Sequence, residues 1–299
     1  IASFKLGVLY SPYFAATFPY PAEKDAARAA DLLDVAVKAG FWKAYGALGE
    51  IYVGEAKPLG DMAKGCEHLI RYINDPERQA LGWQSDEISR MVNGANCLAH
   101  QLLPEGVAYS PPSKDAALQA LALFGDPLLA NDALAVASKI KLLSSENSPI
   151  KDQKAACPAA AAWVKLTTPE TRAPGDRYIL TAHALCLVNG FDHMPTLPPK
   201  AAQQEALAVM SLPELDNEPA AMANRAWLLF KPWEIADPVR ACQTAFDWVA
   251  LVGADKAAID AHMLPWTQIK VVDCLMGVHA GQTPHTPTPQ DMEMVFALA

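Results

Sequence analysis

Cysteine and histidine are the residues of this sequence with the most chemistry in them, and the cysteines fall in a pattern. Cys66, Cys157 and Cys242 share one setting: an Asp five residues before, a Gly or Ala just before, and an aromatic six after (Tyr72, Trp163, Trp248). Cys97, Cys186 and Cys274 share another, each followed by Leu inside an apolar segment. Each first-set cysteine precedes its second-set counterpart by 31, 29 or 32 residues, and the second set recurs every 88 or 89. A zinc site wants ligands roughly two to four residues apart, and redox catalysis wants Cys-x-x-Cys. Neither spacing occurs. Disulfides, and with them an oxidising compartment, are the expected chemistry; buried free thiols are the competing reading.

The seven histidines are His68, His100, His183, His193, His262, His279 and His285. None stands in a nucleophile–base motif. The sequence has no Gly-x-Ser-x-Gly elbow, no phosphate loop and no His-Glu-x-x-His. No catalytic residue, metal ligand or cofactor is therefore assigned.

Recurrence at a fixed period points to stacked repeats. At 299 residues the chain is large for one globular core but not for a repeat array, in which each unit contacts its neighbours alone. Its net charge of −9 disfavours nucleic acid or an anionic membrane as the main partner. Apolar residues make up 52%, much of it alanine, yet no run reaches the ~18 consecutive apolar residues of a membrane span. The 24 prolines punctuate the chain between periodic segments.

Those segments read as helix pairs. Residues 2–10 and 44–52 align with Ala2, Leu6, Gly7 and Tyr10 over Ala44, Leu48, Gly49 and Tyr52. Ala, Leu and Tyr at i, i+4 and i+8 form one face of an amphipathic helix, here called helix A. The glycine permits close approach of another backbone. Helix B follows a loop and opens on an acidic N-cap: Asp25, Asp61, Asp152 or Asp237, the last with Pro238 at the first helical position. Lys38-Ala39-Gly40 is a C-terminal cation followed by a glycine cap. Later A helices are expected over 87–102, 127–143, 176–189, 218–230 and 267–279. Later B helices are expected over 114–124, 152–166, 199–210, 237–251 and 288–299. Strand alternation is absent, and no linker divides the chain.

The pattern Ala-x-x-x-Leu-Gly-x-x-Tyr, then Asp-x-x-Lys/Arg-Ala and a closing Ala-Gly, resembles the Sel1-like repeat, a relative of the tetratricopeptide repeat. The match is good over 2–54, fair over 61–73 and degenerate beyond. The resemblance implies an all-α, right-handed superhelical solenoid of about seven antiparallel helix pairs, forming one domain over residues 1–299. In such a stack helix B packs on the next helix A, which implies the bridges Cys66–Cys97, Cys157–Cys186 and Cys242–Cys274. Aligning the second-set cysteines with Gly7 and Gly49 puts them at the close-approach position.

The resemblance further implies protein binding on a concave face lined by A helices. Lys5, Tyr45 and Glu50, off the Ala/Leu/Tyr stripe, are the expected contacts, with His100, His183 and Arg225. Trp163 and Trp248, at the same position of the module, are expected in the core. Trp42, Trp83, Trp227, Trp233 and Trp266 fall near helix ends, where packing between repeats competes with an interface role. Glu214, Asp216 and Glu218 read as a solvated loop and cap. In size and cysteine use the chain resembles periplasmic immunity proteins that neutralise phospholipase effectors of type VI secretion. That implies a periplasmic or secreted, non-enzymatic protein, its leader removed upstream of Ile1, with a cognate toxin as partner. An envelope scaffold for secretion or cell-wall assembly is the alternative. An enzyme acting on the cell wall would need a convergent polar pocket with a base.

Overall fold

The computed structural model describes residues 1–13, 24–55, 58–102, 110–145, 147–172, 176–188, 197–253, 265–276 and 288–298. Among them there is no strand, and α-helices joined by turns and short 3-10 segments account for the architecture. The chain divides into two compact units, Ile1–Ala156 (unit 1) and Cys157–Ala299 (unit 2).

Unit 1 contains α1 (Ala2–Tyr10), α2 (Ala26–Lys38), α3 (Lys43–Gly54), α4 (Met62–Ile73), α5 (Pro76–Leu81), α6 (Ile88–Leu98), α7 (Lys114–Phe124) and α8 (Ala133–Ser144). Helices α1/α2, α3/α4 and α6/α7 pack as hairpins, while α2 packs on α3, α4 on α6 and α7 on α8. The unit boundary falls within α9 (Gln153–Leu166). Unit 2 continues with α10 (Arg177–Leu187), α11 (Lys200–Met210), α12 (Pro219–Phe230), α13 (Pro238–Val252), α14 (Pro265–Leu275) and α15 (Pro289–Leu298). Here α10/α11, α12/α13 and α14/α15 form the hairpins, and α11 on α12 and α13 on α14 form junctions.

The helix starts follow from their caps. Asp25, Asp61, Asp152 and Asp237 each accept a bond from the backbone N–H three residues on, at 2.9–3.0 Å. This satisfies one of the free amides of the first turn. Helix α2 ends on Gly40 at φ 76, with Phe41 N–H bonded to Ala36 O at 3.0 Å. That is the left-handed cap the closing glycine predicts. Residues 127–143 are not one helix: Asp126 caps a 3-10 turn at Pro127–Leu129, and Asp132 then starts α8 by accepting from Ala135 N–H. Two acidic caps six residues apart split what periodicity alone joins. Helix α5 was not expected; Pro76 and the Asp75 cap start it, and Gly82 at φ 67 stops it.

The apolar stripe works as its spacing requires. Ala44, Leu48 and Tyr52 are buried against Ala29, Ala30 and Leu33 of α2. The matching face of α1 is exposed at Leu6. Tyr72, Trp163 and Trp248 are all at most 1% exposed, so the aromatic six residues after each first-set cysteine is a core anchor. Trp42 and Trp227 are also buried, whereas Trp83 and Trp233 are half-buried and pack on Tyr72 and Trp227. The side chain of Trp266 lies outside the described residues, as do His193, His262, His279 and His285.

Candidate functional site

The cysteines form Cys66–Cys97, Cys157–Cys186 and Cys242–Cys274, with Cα–Cα distances of 5.3, 5.6 and 5.5 Å. These distances lie in the ordinary range for a bridge. Each bridge joins a helix B to the next helix A: α4 to α6, α9 to α10, and α13 to α14. None closes a hairpin on itself. Cys242 and Cys274 are buried, while Cys66, Cys157 and Cys186 are half-buried.

The alignment of these cysteines with Gly49 needs correction. A Cβ on Gly49 would meet Leu69 Cγ at 2.7 Å and Gly65 O at 3.1 Å, both on its own hairpin partner α4. Cys97 instead faces α4 from the following repeat. The glycine closes a hairpin interior and the cysteine closes a junction, so they serve opposite faces of helix A. The three bridges themselves are as expected.

The expected contact residues scatter. Lys5 is exposed on α1. Tyr45 is half-buried, its ring 5.8 Å from that of His68 and 5.9 Å from the Arg71 guanidinium. Glu50, expected on an open face, is 7% exposed and accepts a bond from Arg90 Nε at 3.0 Å. Burial raises its pKa above the ordinary carboxylate value, against the lowering pull of Arg90. His100 sits at φ 53, with Gln101 N–H bonded to Asn96 O, and ends α6 as Gly40 ends α2. Its Nδ1 lies 2.9 Å from Ser110 O, and since a carbonyl only accepts, Nδ1 carries the proton. His183 is 8% exposed, and its Nδ1 is buried with no hydrogen-bond partner among the described residues. Its pKa is lowered, first by burial. Arg225 reaches Asp216 at 3.4 Å. Within unit 1 Lys5 is exposed while Glu50 is sealed, and within unit 2 His183 is buried, so in neither unit do the expected residues make one exposed patch.

Two polar constellations stand out instead. In unit 1, Tyr72 donates to Glu87, Gln84 N–H binds the other Glu87 oxygen at 3.0 Å, and Arg90 lies 5.7 Å from the Tyr72 ring. With Trp42 stacked on Tyr72, this network crosses from hairpin α3/α4 to the start of α6 and braces that junction. In unit 2, the acidic residues of 214–218 each hold an arginine. Glu214 binds Arg172 at 2.5 Å, Asp216 binds Arg225 at 3.4 Å and Glu218 binds Arg177 at 3.4 Å. Glu214 departs from the expected solvated loop, its side chain being 16% exposed, whereas Asp216 and Glu218 remain open to solvent. Glu218 makes no side-chain cap bond to α12.

Beside these pairs opens a cleft of about 350 Å³, lined by Pro169, Arg172, Arg177, Leu212, Pro213 and Glu214. Arginine, carboxylate and apolar wall in one concavity suit binding of a polypeptide side chain. A nucleophile with an adjacent base is missing from that lining. Among the described residues no group of three His, Cys, Asp or Glu is placed to hold a metal ion. Among the same residues no helix is long and apolar enough to cross a membrane. The sequence reading missed Arg172 and Arg177. Arg172 follows the end of α9 and Arg177 starts α10, and their acidic partners follow 42 and 41 residues later, about one helix pair along.

No family model and no curated protein matches the chain. Among solved structures it is similar to a protective antigen present in uropathogenic Escherichia coli strains that displays an SLR fold. The likeness covers 92% of this chain and 68% of that one, at 12% identity and a TM-score of 0.28. At that score the likeness carries no weight here, and the helix-pair architecture rests on the contacts described above.

Proposed function

We propose that the chain binds another protein over the exposed faces of its helix pairs and has no reaction or cofactor of its own. In its sharpest form the partner is a lipase-type toxin of type VI secretion, bound and neutralised in the bacterial periplasm, with residues 1–299 acting as one domain. The observation that supports this is the placement of the three bridges. Cys66–Cys97 ties α3/α4 to α6/α7, Cys242–Cys274 ties α12/α13 to α14/α15, and Cys157–Cys186 ties α9 to α10, which fixes surface geometry between successive helices. Repeat stacks otherwise open locally, and a surface held rigid loses less conformational freedom on binding. Bridges of this sort persist in an oxidising compartment, which fits a place outside the cytosol.

The experiment is direct. The oxidised chain is mixed with the lipase-type effector encoded beside its gene, and phospholipase turnover and binding are measured. Inhibition at one-to-one stoichiometry with nanomolar or tighter affinity is expected. Full turnover in the presence of excess chain, for every neighbouring effector, would sink the immunity reading. Weak binding to several envelope proteins would favour the scaffold in its place.

A further inference from the structure

The cleft of unit 2 holds two arginines in unlike states. Arg172 is committed: NH1 binds Glu214 at 2.5 Å, Nε binds Thr167 Oγ1 at 3.2 Å and NH2 binds Thr167 O at 3.4 Å. Its side chain is 8% exposed and its guanidinium lies 5.5 Å from the Trp163 ring centroid. Among the described residues Arg177 has one side-chain bond, to Glu218 at 3.4 Å, and both side chains are more than a third exposed. Exposed pairs of that length contribute little and exchange readily. Arg172 is therefore part of the wall, and Arg177 is the cation a ligand can reach.

The rest of the lining says what such a ligand carries. Pro169, Leu212 and Pro213 present apolar surface next to the guanidinium. The molecule already shows this chemistry once, for its own Leu212-Pro213-Glu214 turn sets a carboxylate on Arg172 with apolar residues beside it. Among the described residues lining the cleft, Arg172 and Arg177 are the cations, and Arg172 is already bound by Glu214. An incoming carboxylate must take the place of Glu218.

We propose that this cleft receives an acidic side chain flanked by apolar residues from the protein partner, with Arg177 leaving Glu218 for the incoming carboxylate. The site rests on the protein-binding reading above and adds to it the chemistry of the contact. A planar guanidinium takes a carboxylate with two parallel bonds, which the single long bond to Glu218 does not use. The cleft volume of about 350 Å³ suits two or three side chains, short of a folded element.

The probe is the capped peptide acetyl-Leu-Pro-Glu-amide, titrated into the full oxidised chain while Arg side-chain N–H signals are followed by NMR. Acetyl-Leu-Pro-Gln-amide is the neutral control, and acetyl-Leu-Pro with a free carboxyl end tests a chain terminus as the source. The Glu peptide should shift the Arg177 signal and bind at least tenfold tighter than the Gln peptide. Arg177→Gln should abolish that difference, and Arg177→Lys should keep part of it. Glu218→Gln should tighten binding several-fold, because the competing carboxylate is gone; a purely structural cleft would not respond in that direction. Equal binding of the Glu and Gln peptides, an unmoved Arg177 signal, or weaker binding to Glu218→Gln would overturn the proposal. Tighter binding of the free-ended peptide would overturn the choice of a side chain. If a protein partner binds Arg177→Gln as well as it binds the unaltered chain, the cleft falls and the general reading stands. If the peptide binds but no protein partner does, the reverse holds.

Discussion

In unit 1 the ion pair Glu50–Arg90 is closed off, with side-chain exposures of 8% and 10%, and a ring of Trp42, Tyr72 and Glu87 fills in around it. In unit 2 the pair Arg177–Glu218 stands at 35% and 38% exposure beside an open cleft. The two pairs are built alike, an acid and an arginine about forty residues apart in chain and one repeat apart in space. Their surroundings give them different work. A buried pair cannot change partners without leaving a charge stranded in low dielectric, so it braces. A half-exposed pair exchanges with water at little cost, so it can recognise. The covalent links are divided in the same sense: unit 1 has one bridge beside its glycine-tightened hairpins, and unit 2 has two.

The sharpest way to break this comparison is Arg90→Met. It strands Glu50 in a site whose burial already raises its pKa, and should cost about 3–5 kcal/mol in denaturant unfolding. Adding Glu50→Gln should recover a large part of that, since no charge then remains buried. Arg177→Met, by contrast, should leave stability within about 0.5 kcal/mol. Equal costs at the two sites would show that exposure does not separate bracing from exchangeable pairs.

Next in size is the buried bridge Cys242–Cys274. Replacing both cysteines by Ser should destabilise by about 3–4 kcal/mol, from the entropy of a loop with sequence separation 32. Titrated reduction followed by mass spectrometry should open Cys157–Cys186, half-buried at both ends, before Cys242–Cys274. The opposite order would mean that access does not control reduction here.

The smallest effect is on acid stability. Burial lowers the pKa of His68 in unit 1 and of His183 in unit 2. For a group depressed on folding, the stabilising contribution is complete above the unfolded value near 6.5 and fades as pH falls through the folded one. Glu50 is raised, so its contribution is complete below the ordinary carboxylate pKa and is lost as pH rises through the folded value. Unit 1 therefore holds opposing titrations, of His68 and Glu50. Hydrogen exchange at pH 7.5 and 5.5 should show a modest loss of protection in α10 and a smaller one in α4. His183→Phe should flatten the unit 2 response.

Helix spans and caps were legible because their causes are local. An aspartate before an apolar run accepts the first free amides wherever the chain goes next, and Asp25, Asp61, Asp152 and Asp237 all do so. The break between Pro127–Leu129 and α8 has an equally local cause, the caps Asp126 and Asp132, which override the apolar periodicity across it. The contact residues were not legible. Glu50 and Lys5 occupy related helices with similar sequences, yet Glu50 is buried by Arg90 from the next helix A and Lys5 is not covered.

By itself the sequence determined the period of the cysteines and the acidic caps that start most of the helices, while the pairing of the sulfurs came with the resemblance to stacked helix pairs. The period of the cysteines and the cap chemistry are properties of neighbours along the chain and of equal steps between repeats. The tertiary structure alone decided which of several acid–arginine pairs at the repeat spacing are sealed and which stand open. That depends on what the intervening loops and the adjacent hairpin lay over each pair, and solvent access is fixed by packing from three dimensions, with no periodic mark in one.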